Sequence, residues 1–91
     1  MPRTYQLHPR LAFQDVDEGI FVITPDNSLH HLKDDVALFL WEQLDAAPKS
    51  LEELLEAVVT EFQVNRNEAK TDLEAFLASG VKKGLLESEE G

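Results

Sequence analysis

Residues 50–86 read SLEELLEAVVTEFQVNRNEAKTDLEAFLASGVKKGLL, and their periodicity sets the second half of the architecture. Ser50 followed three residues later by Glu53 is a capping-box pattern: the hydroxyl accepts from the third amide of the helix while the carboxylate reaches back to the cap amide. Leu51, Leu54, Leu55, Val58, Val59 and Phe62 then recur at helical spacing, with Glu52, Glu53, Glu56 and Thr60 on the opposite face. Asn65 and Glu68 repeat the capping logic and open a further helix, whose apolar stripe is Ala69, Leu73, Phe76, Leu77 and Val81. Lys82 and Lys83 put positive charge at its negative end. Gly84 stands where a left-handed residue closes a helix, with Leu85 folding back onto it.

Upstream of Ser50, Asp34 or Asp35 is placed to cap a helix ending near Leu44. Val36, Ala37, Leu38, Phe39, Leu40, Trp41 and Leu44 cover nearly its whole circumference, which predicts a helix at the centre of the core. Asp45-Ala46-Ala47-Pro48 ends it. Earlier still, the β-branched and aromatic run Ile20-Phe21-Val22-Ile23-Thr24 is the clearest strand signal. Leu11–Val16 and Leu29–Leu32 flank it as strands, across turns at Asp17-Glu18-Gly19 and Pro25-Asp26-Asn27-Ser28. The expected fold class is α+β: a three-stranded antiparallel sheet followed by a three-helix bundle, with the first and third strands as edges. Residues 1–9 read as an unstructured lead-in and Glu87–Gly91 as a frayed acidic tail.

At 91 residues the chain is expected to form a single domain, residues 1–91, with an ordered core over about 8–87. It has no cysteine, which excludes disulfides and thiolate metal sites. No apolar run approaches the ~20 residues that span a bilayer, and Met1-Pro2-Arg3-Thr4-Tyr5 lacks the apolar core of a secretion signal. A cytoplasmic location with no membrane partner is the expectation. The net charge is −10, and residues 33–91 carry most of it, with fourteen acidic against six basic groups. Such a field repels phosphate backbones, so no nucleic-acid partner is expected. It confers solubility and, more sharply read, a preference for a basic partner segment.

The parts of a catalyst are missing from the pattern. Asp34-Asp35 and Glu52-Glu53 sit at helix starts, where they complement the dipole. Ser28, Ser50, Ser79 and Ser88 have no neighbouring base, and there is no Gly-rich phosphate loop. His30 and His31 are adjacent on a strand, so they point to opposite faces and cannot chelate one ion. No metal, cofactor or catalytic residue is therefore expected. Asp72 stands out because it interrupts the apolar stripe between Ala69 and Phe76; an ordinary solvated carboxylate is the competing reading.

The ordered set His8-Pro9-Arg10, Leu32, Trp41, Leu44-Asp45, Ser50-Leu51-Glu52-Glu53-Leu54, Phe62-Gln63-Val64-Asn65, Asp72-Leu73-Glu74-Ala75-Phe76-Leu77 and Gly84-Leu85-Leu86 resembles the PqqD family, the proteins and domains also called RiPP recognition elements. The resemblance runs over about residues 8–87. It implies a winged helix-turn-helix-like module that is not an enzyme. Such a module is a peptide chaperone: it binds the leader segment of a ribosomally made precursor peptide and presents it to a modifying enzyme, of the radical SAM type. The leader adds as a strand to the third-strand edge, beside the last helix. Carried over, the peptide-binding residues are Leu29, His30, His31 and Leu32 facing Asp72, Leu73, Phe76 and Leu77. Lys33 stands where the family usually has Asn. Gly80 stands where it has a bulky aliphatic residue, with Val81 as the residue to take over that packing. A monomer or weak dimer is expected, because a short edge strand can pair with itself. Two alternatives share the topology or the partners: a winged-helix DNA-binding regulator, and an adaptor that docks on an enzyme without touching its peptide.

Overall fold

The computed structural model describes residues 3–90. In chain order the elements are β1 (Arg3–Leu7), β2 (Ala12–Val16), β3 (Gly19–Ile23), β4 (Leu29–Leu32), α1 (Asp35–Ala46), β5 (Lys49–Ser50), α2 (Leu51–Phe62), α3 (Arg66–Lys82) and β6 (Leu86–Glu90). They form an α+β fold of three helices and two antiparallel three-stranded sheets, ordered β2-β3-β4 and β5-β1-β6.

The meander forms where the strand signals lie. Ile20 pairs with Leu32, Phe21 with His31, Val22 with His30 and Ile23 with Leu29. Ile20 and Val22 are buried, whereas Phe21 and Ile23 are exposed on the opposite face, the period-2 alternation of a sheet covered on one side. Gly19 enables the first hairpin. Its φ is +129°, and a Cβ there would stand 2.0 Å from the Leu32 carbonyl oxygen. The second turn is held by backbone bonds from Thr24 N to Ser28 O (3.0 Å) and from Asn27 N to Thr24 O (2.9 Å), with Asn27 left-handed at φ 68°. The Asp26 carboxylate accepts from the Thr24 hydroxyl and from Ser28 N, bonds that hold its pKa below the ordinary value, the Thr24 bond most of all.

The helix ends follow the local signals. Asp34 caps α1, its carboxylate accepting from Val36 N and Ala37 N at 3.1 Å each. Ser50 and Glu53 make the reciprocal capping box of α2. Asn65 caps α3 through Asn67 N and Glu68 N. At the far end of α3, Leu85 N donates to Gly80 O (2.8 Å) and Gly84 N to Val81 O (3.2 Å), with Gly84 at φ +81°. This is the paired bonding of a Schellman termination.

Three expectations are corrected. Residues 3–7 are not an unstructured lead-in, and residues 87–90 are not a frayed tail. They are β1 and β6, paired from Arg3↔Glu90 to Leu7↔Leu86. Met1, Pro2 and Gly91 lie outside the described residues. The ladder forms because Leu85 and Leu86 are drawn into the core and the chain ends leave it side by side, with His8 N donating to Leu85 O (3.0 Å). The other flank of β1 takes β5, and Ser50 goes on to cap α2.

The second correction concerns α1. Leu40, Trp41 and Leu44 are buried among Val22, Leu54, Leu55, Leu73, Leu77 and Leu86, and Trp41 meets the Phe13 ring edge-on at 5.4 Å. Val36, Ala37, Leu38 and Phe39 are only half-buried. The helix therefore sits at the margin of the core along its first turns. The third concerns Val81, which is 39% exposed and takes over no core packing. The space beside Gly80 is filled by Leu86.

Candidate functional site

The meander ends in a free edge. β4 pairs with β3 on one side and with no strand on the other among the described residues, so its outward N–H and C=O groups are open to a further strand. The register puts His30 and Leu32 on the core side of the sheet, opposite Val22 and Ile20. Leu29 and His31 lie on the outer side, opposite Ile23 and Phe21. Leu29 is 65% exposed. The His31 ring stacks on Phe21 at 4.1 Å, and its Nε2 donates to Glu18 O at 3.0 Å, a bond that ties β4 to the β2–β3 turn. His30 Nε2 is buried with no hydrogen-bond partner among the described residues. The two imidazoles thus lie on opposite faces. No group of three or more His, Cys, Asp or Glu among the described residues is arranged to hold a metal ion.

Two residues past the end of β4, at Asp34, an apolar pit of about 340 Å³ begins. Val36, Ala37 and Leu40 of α1 form one wall, Ala69, Leu73 and Phe76 of α3 the other, and Val58 and Val64 the end. Asp34, Glu68 and Asp72 stand around it. The pit stays open because α3 packs chiefly on α2 and β6 and approaches α1 only weakly. Helical spacing accounts for the α3 wall. Glu68, Asp72 and Phe76 follow at i, i+4 and i+8 along one row, with Ala69 and Leu73 one row deeper.

The expected site residues therefore divide. Asp72, Leu73 and Phe76 come together in the pit. Leu29, His30, His31 and Leu32 form the adjacent strand edge and do not line it. Leu77 is 2% exposed and lies one turn beyond Leu73 on the same buried row of α3, past the end of the pit, where it borders a separate depression with Tyr5 and Leu51. It supports the wall from within, because the pit ends at Phe76 and the next turn of the same row lies beside Tyr5 of β1 and Ser88 of β6. Val36, Ala37, Val64, Glu68 and Asp34 were missed from the sequence. A signal for three of them was present: Glu68 precedes Asp72 by one helical turn, and Val36-Ala37 opens a helix with more apolar surface than one buried stripe requires.

A three-stranded meander with a free last edge, backed by three helices with a pit between the first and the last, defines the class of fold. The chain belongs to the PqqD family: the family model described as coenzyme PQQ synthesis protein D matches residues 25–86. That match takes in β4, the three helices and Leu86, but not β1–β3. Solved structures match over nearly the whole chain. TbiB1 in complex with the TbiA(beta) leader peptide is 25% identical, with a TM-score of 0.81 over 90% of this chain and 94% of that one. A lasso peptide synthetase B1 complexed with the leader peptide is 23% identical, with a TM-score of 0.74 over 91% and 96%. The PqqD truncation of Methylobacterium extorquens PqqCD, a stand-alone RiPP recognition element, is 15% identical, with a TM-score of 0.72 over 92% and 88%. No curated protein matches this chain.

Proposed function

We propose that this chain is a RiPP recognition element. It is a non-enzymatic chaperone that binds the leader segment of a ribosomally made precursor peptide and presents it to a modifying enzyme of the radical SAM type. The observation that carries the reading is the free β4 edge lying next to the apolar pit between α1 and α3. An extended peptide added to β4 gains main-chain hydrogen bonds, and its side chains alternate between the two faces of the extended sheet. Those on the core side enter the pit, where burying one large aliphatic or aromatic side chain contributes about 1.5–3 kcal/mol. The proposed contacts are Leu29, His30, His31 and Leu32 at the edge and Asp72, Leu73 and Phe76 in the pit, with Leu77 supporting them. The leader complexes of TbiB1 and of the lasso synthetase B1, which share this fold, support the assignment.

The strand-addition mechanism is tested by N-methylating successive residues of the leader peptide encoded beside the gene of this chain. Each methyl removes one main-chain donor. Affinity is expected to fall at every second position, where the N–H points to β4, and to hold at the positions between. A uniform small loss along the peptide contradicts strand addition.

A further inference from the structure

The outer side of the meander carries two cross-strand rows, Ala12-Ile23-Leu29 and Gln14-Phe21-His31, with Val16 beyond them opposite Gly19. None of these residues is Asp, Glu, Lys or Arg, although 29% of the chain is charged. The acidic residue of β2, Asp15, lies on the other side of the sheet, opposite Ile20. Val16, Phe21, Ile23 and Leu29 are four of the seven exposed large hydrophobic side chains among the described residues, so such surface is concentrated on this face. The helices pack on the opposite side, where Trp41 meets Phe13. A sheet covered on one side ordinarily alternates apolar inward with polar outward. Here Ile20-Phe21-Val22-Ile23 is apolar without a break, the composition of a strand covered on both faces. Strand propensity accounts for β-branched and aromatic residues on an open face but not for Leu29, which is 65% exposed. Contiguous apolar surface of this kind marks contact with another molecule.

Two features decide which molecule covers it. The first is area. The strands are at most five residues long; three of them, about 4.8 Å apart with about 3.3 Å per residue, make a face of about 240 Å². A stable interface takes about 800 Å² from each partner. A second copy of the chain would also bring another net charge of −10 against the first. A homodimer on this face is therefore disfavoured. The second feature is continuity, because the face runs without interruption to the free β4 edge. A peptide added there becomes a fourth strand, with alternate side chains level with Leu29 and His31, and widens the face by about a third. The body that has to touch the peptide and the face together is the enzyme to which the peptide is presented.

We infer that the outer face of the meander is the docking surface for the modifying enzyme. The enzyme lays an uncharged, apolar surface across Val16, Phe21, Ile23 and Leu29 and along the leader strand beside them. The inference rests on the leader-binding reading and adds to it the surface by which the loaded chain is recognised. Because the leader strand completes the contact, leader and enzyme bind with positive coupling, each raising the affinity for the other by the same factor.

The test measures two affinities of the full chain separately: for the leader peptide encoded beside its gene, and for the modifying enzyme encoded there, with and without saturating leader. Ile23→Lys places a charge on the central strand of the face, one strand away from the β4 edge. Thr60→Lys places the same charge at an exposed position of α2 as a control. Ile23→Lys should weaken enzyme binding about tenfold or more, because an ammonium then meets an apolar surface, while leader affinity is unchanged. Ile23→Thr keeps the β-branched shape and the strand propensity; it should give a smaller loss in the same direction and carries the test if the lysine variant does not fold. Thr60→Lys should change neither affinity, and on the parent chain saturating leader should tighten enzyme binding. Equal enzyme affinity for the parent and the Ile23 variants, or an equal loss with Thr60→Lys, overturns the docking face and leaves leader binding standing. So does an enzyme that binds neither the free nor the loaded chain. A dimer of the chain that Ile23→Lys dissociates, with enzyme binding intact, overturns it in favour of a second copy. No leader binding by the parent chain overturns both readings.

Discussion

Leu86 occupies the space that a side chain at Gly80 would fill: a Cβ built on Gly80 lies 2.7 Å from Leu86 Cδ1 and 2.8 Å from Cγ. The contact joins the last turn of α3 to the first residue of β6, directly after the Gly84 termination, and so sets where β6 departs. Gly80→Ala gains helix propensity of up to ~1 kcal/mol but overpacks this contact by about 1–3 kcal/mol. The expected net effect is a loss of about 1 kcal/mol in urea unfolding, with Gly80→Val worse. Leu86→Ala alone should cost about 2–5 kcal/mol. In the double variant Gly80→Ala/Leu86→Ala the losses should not add, because the new methyl enters the vacated space.

The ladder between β1 and β6 gives a second prediction. Deleting residues 87–91 removes most of β1's longer pairing and the Glu87 carboxylate, which stands 3.6 Å from His8 Nε2. We expect a stability loss of about 2 kcal/mol, from a few net hydrogen bonds at ~1 kcal/mol each. Amide exchange should accelerate in Thr4–Leu7 while the β2–β4 meander stays protected. A frayed terminus would give neither effect.

At Gly19 the φ of +129° and the Leu32 carbonyl 2.0 Å from a would-be Cβ exclude any side chain. Gly19→Ala should destabilise by about 3 kcal/mol or more, combining backbone strain with a displaced β4. Because the displaced strand is the proposed peptide acceptor, leader binding should weaken even under conditions where the variant remains folded. Loss of stability with unchanged leader affinity would separate β4 from the binding site.

The capping box of α2 predicts a pH dependence. Backbone and side-chain hydrogen bonds from Ser50 hold the Glu53 carboxyl below its ordinary pKa. A depressed carboxylate contributes stability that is fully present above the ordinary glutamate value, about 4.3, and is lost as pH falls below it through the lowered folded value. Glu53→Gln should flatten that part of the acid limb of the stability–pH profile. Ser50→Ala should remove the hydroxyl half of the box and cost about 1 kcal/mol at neutral pH.

The elements that could be read from the sequence are those with local causes. Asp34, Ser50, Asn65 and Gly84 each act on amides or carbonyls within a few residues, and Ile20–Ile23 alternates within one strand. β1 and β6 escaped because Arg3-Thr4-Tyr5-Gln6-Leu7 offers only the two alternating positions Tyr5 and Leu7, and Leu86-Glu87-Ser88-Glu89-Glu90 has no apolar residue after Leu86. Their pairing joins residues 79 to 87 apart in sequence, and no local pattern reports it. The pit was half legible for the same reason. Asp72 and Phe76 stand out on one helix, but Val36, Ala37 and Val64 join them only through the tertiary approach of α1 and the α2–α3 connection. Leu77 belongs to the same stripe as Leu73 yet lies a turn beyond the pit, because a stripe does not indicate where along the helix the neighbouring elements leave space.

Amide chemical shifts of the labelled chain, followed as the leader peptide encoded beside its gene is added, test leader binding at the β4 edge and the pit most directly. Saturable shifts should appear together at Leu29–Leu32, at Val36 and Ala37, and at Asp72–Phe76, with β6 and the outer face of α2 unchanged. Shifts confined to β6 or to the acidic face of α2, or no shifts at saturating peptide, would contradict it.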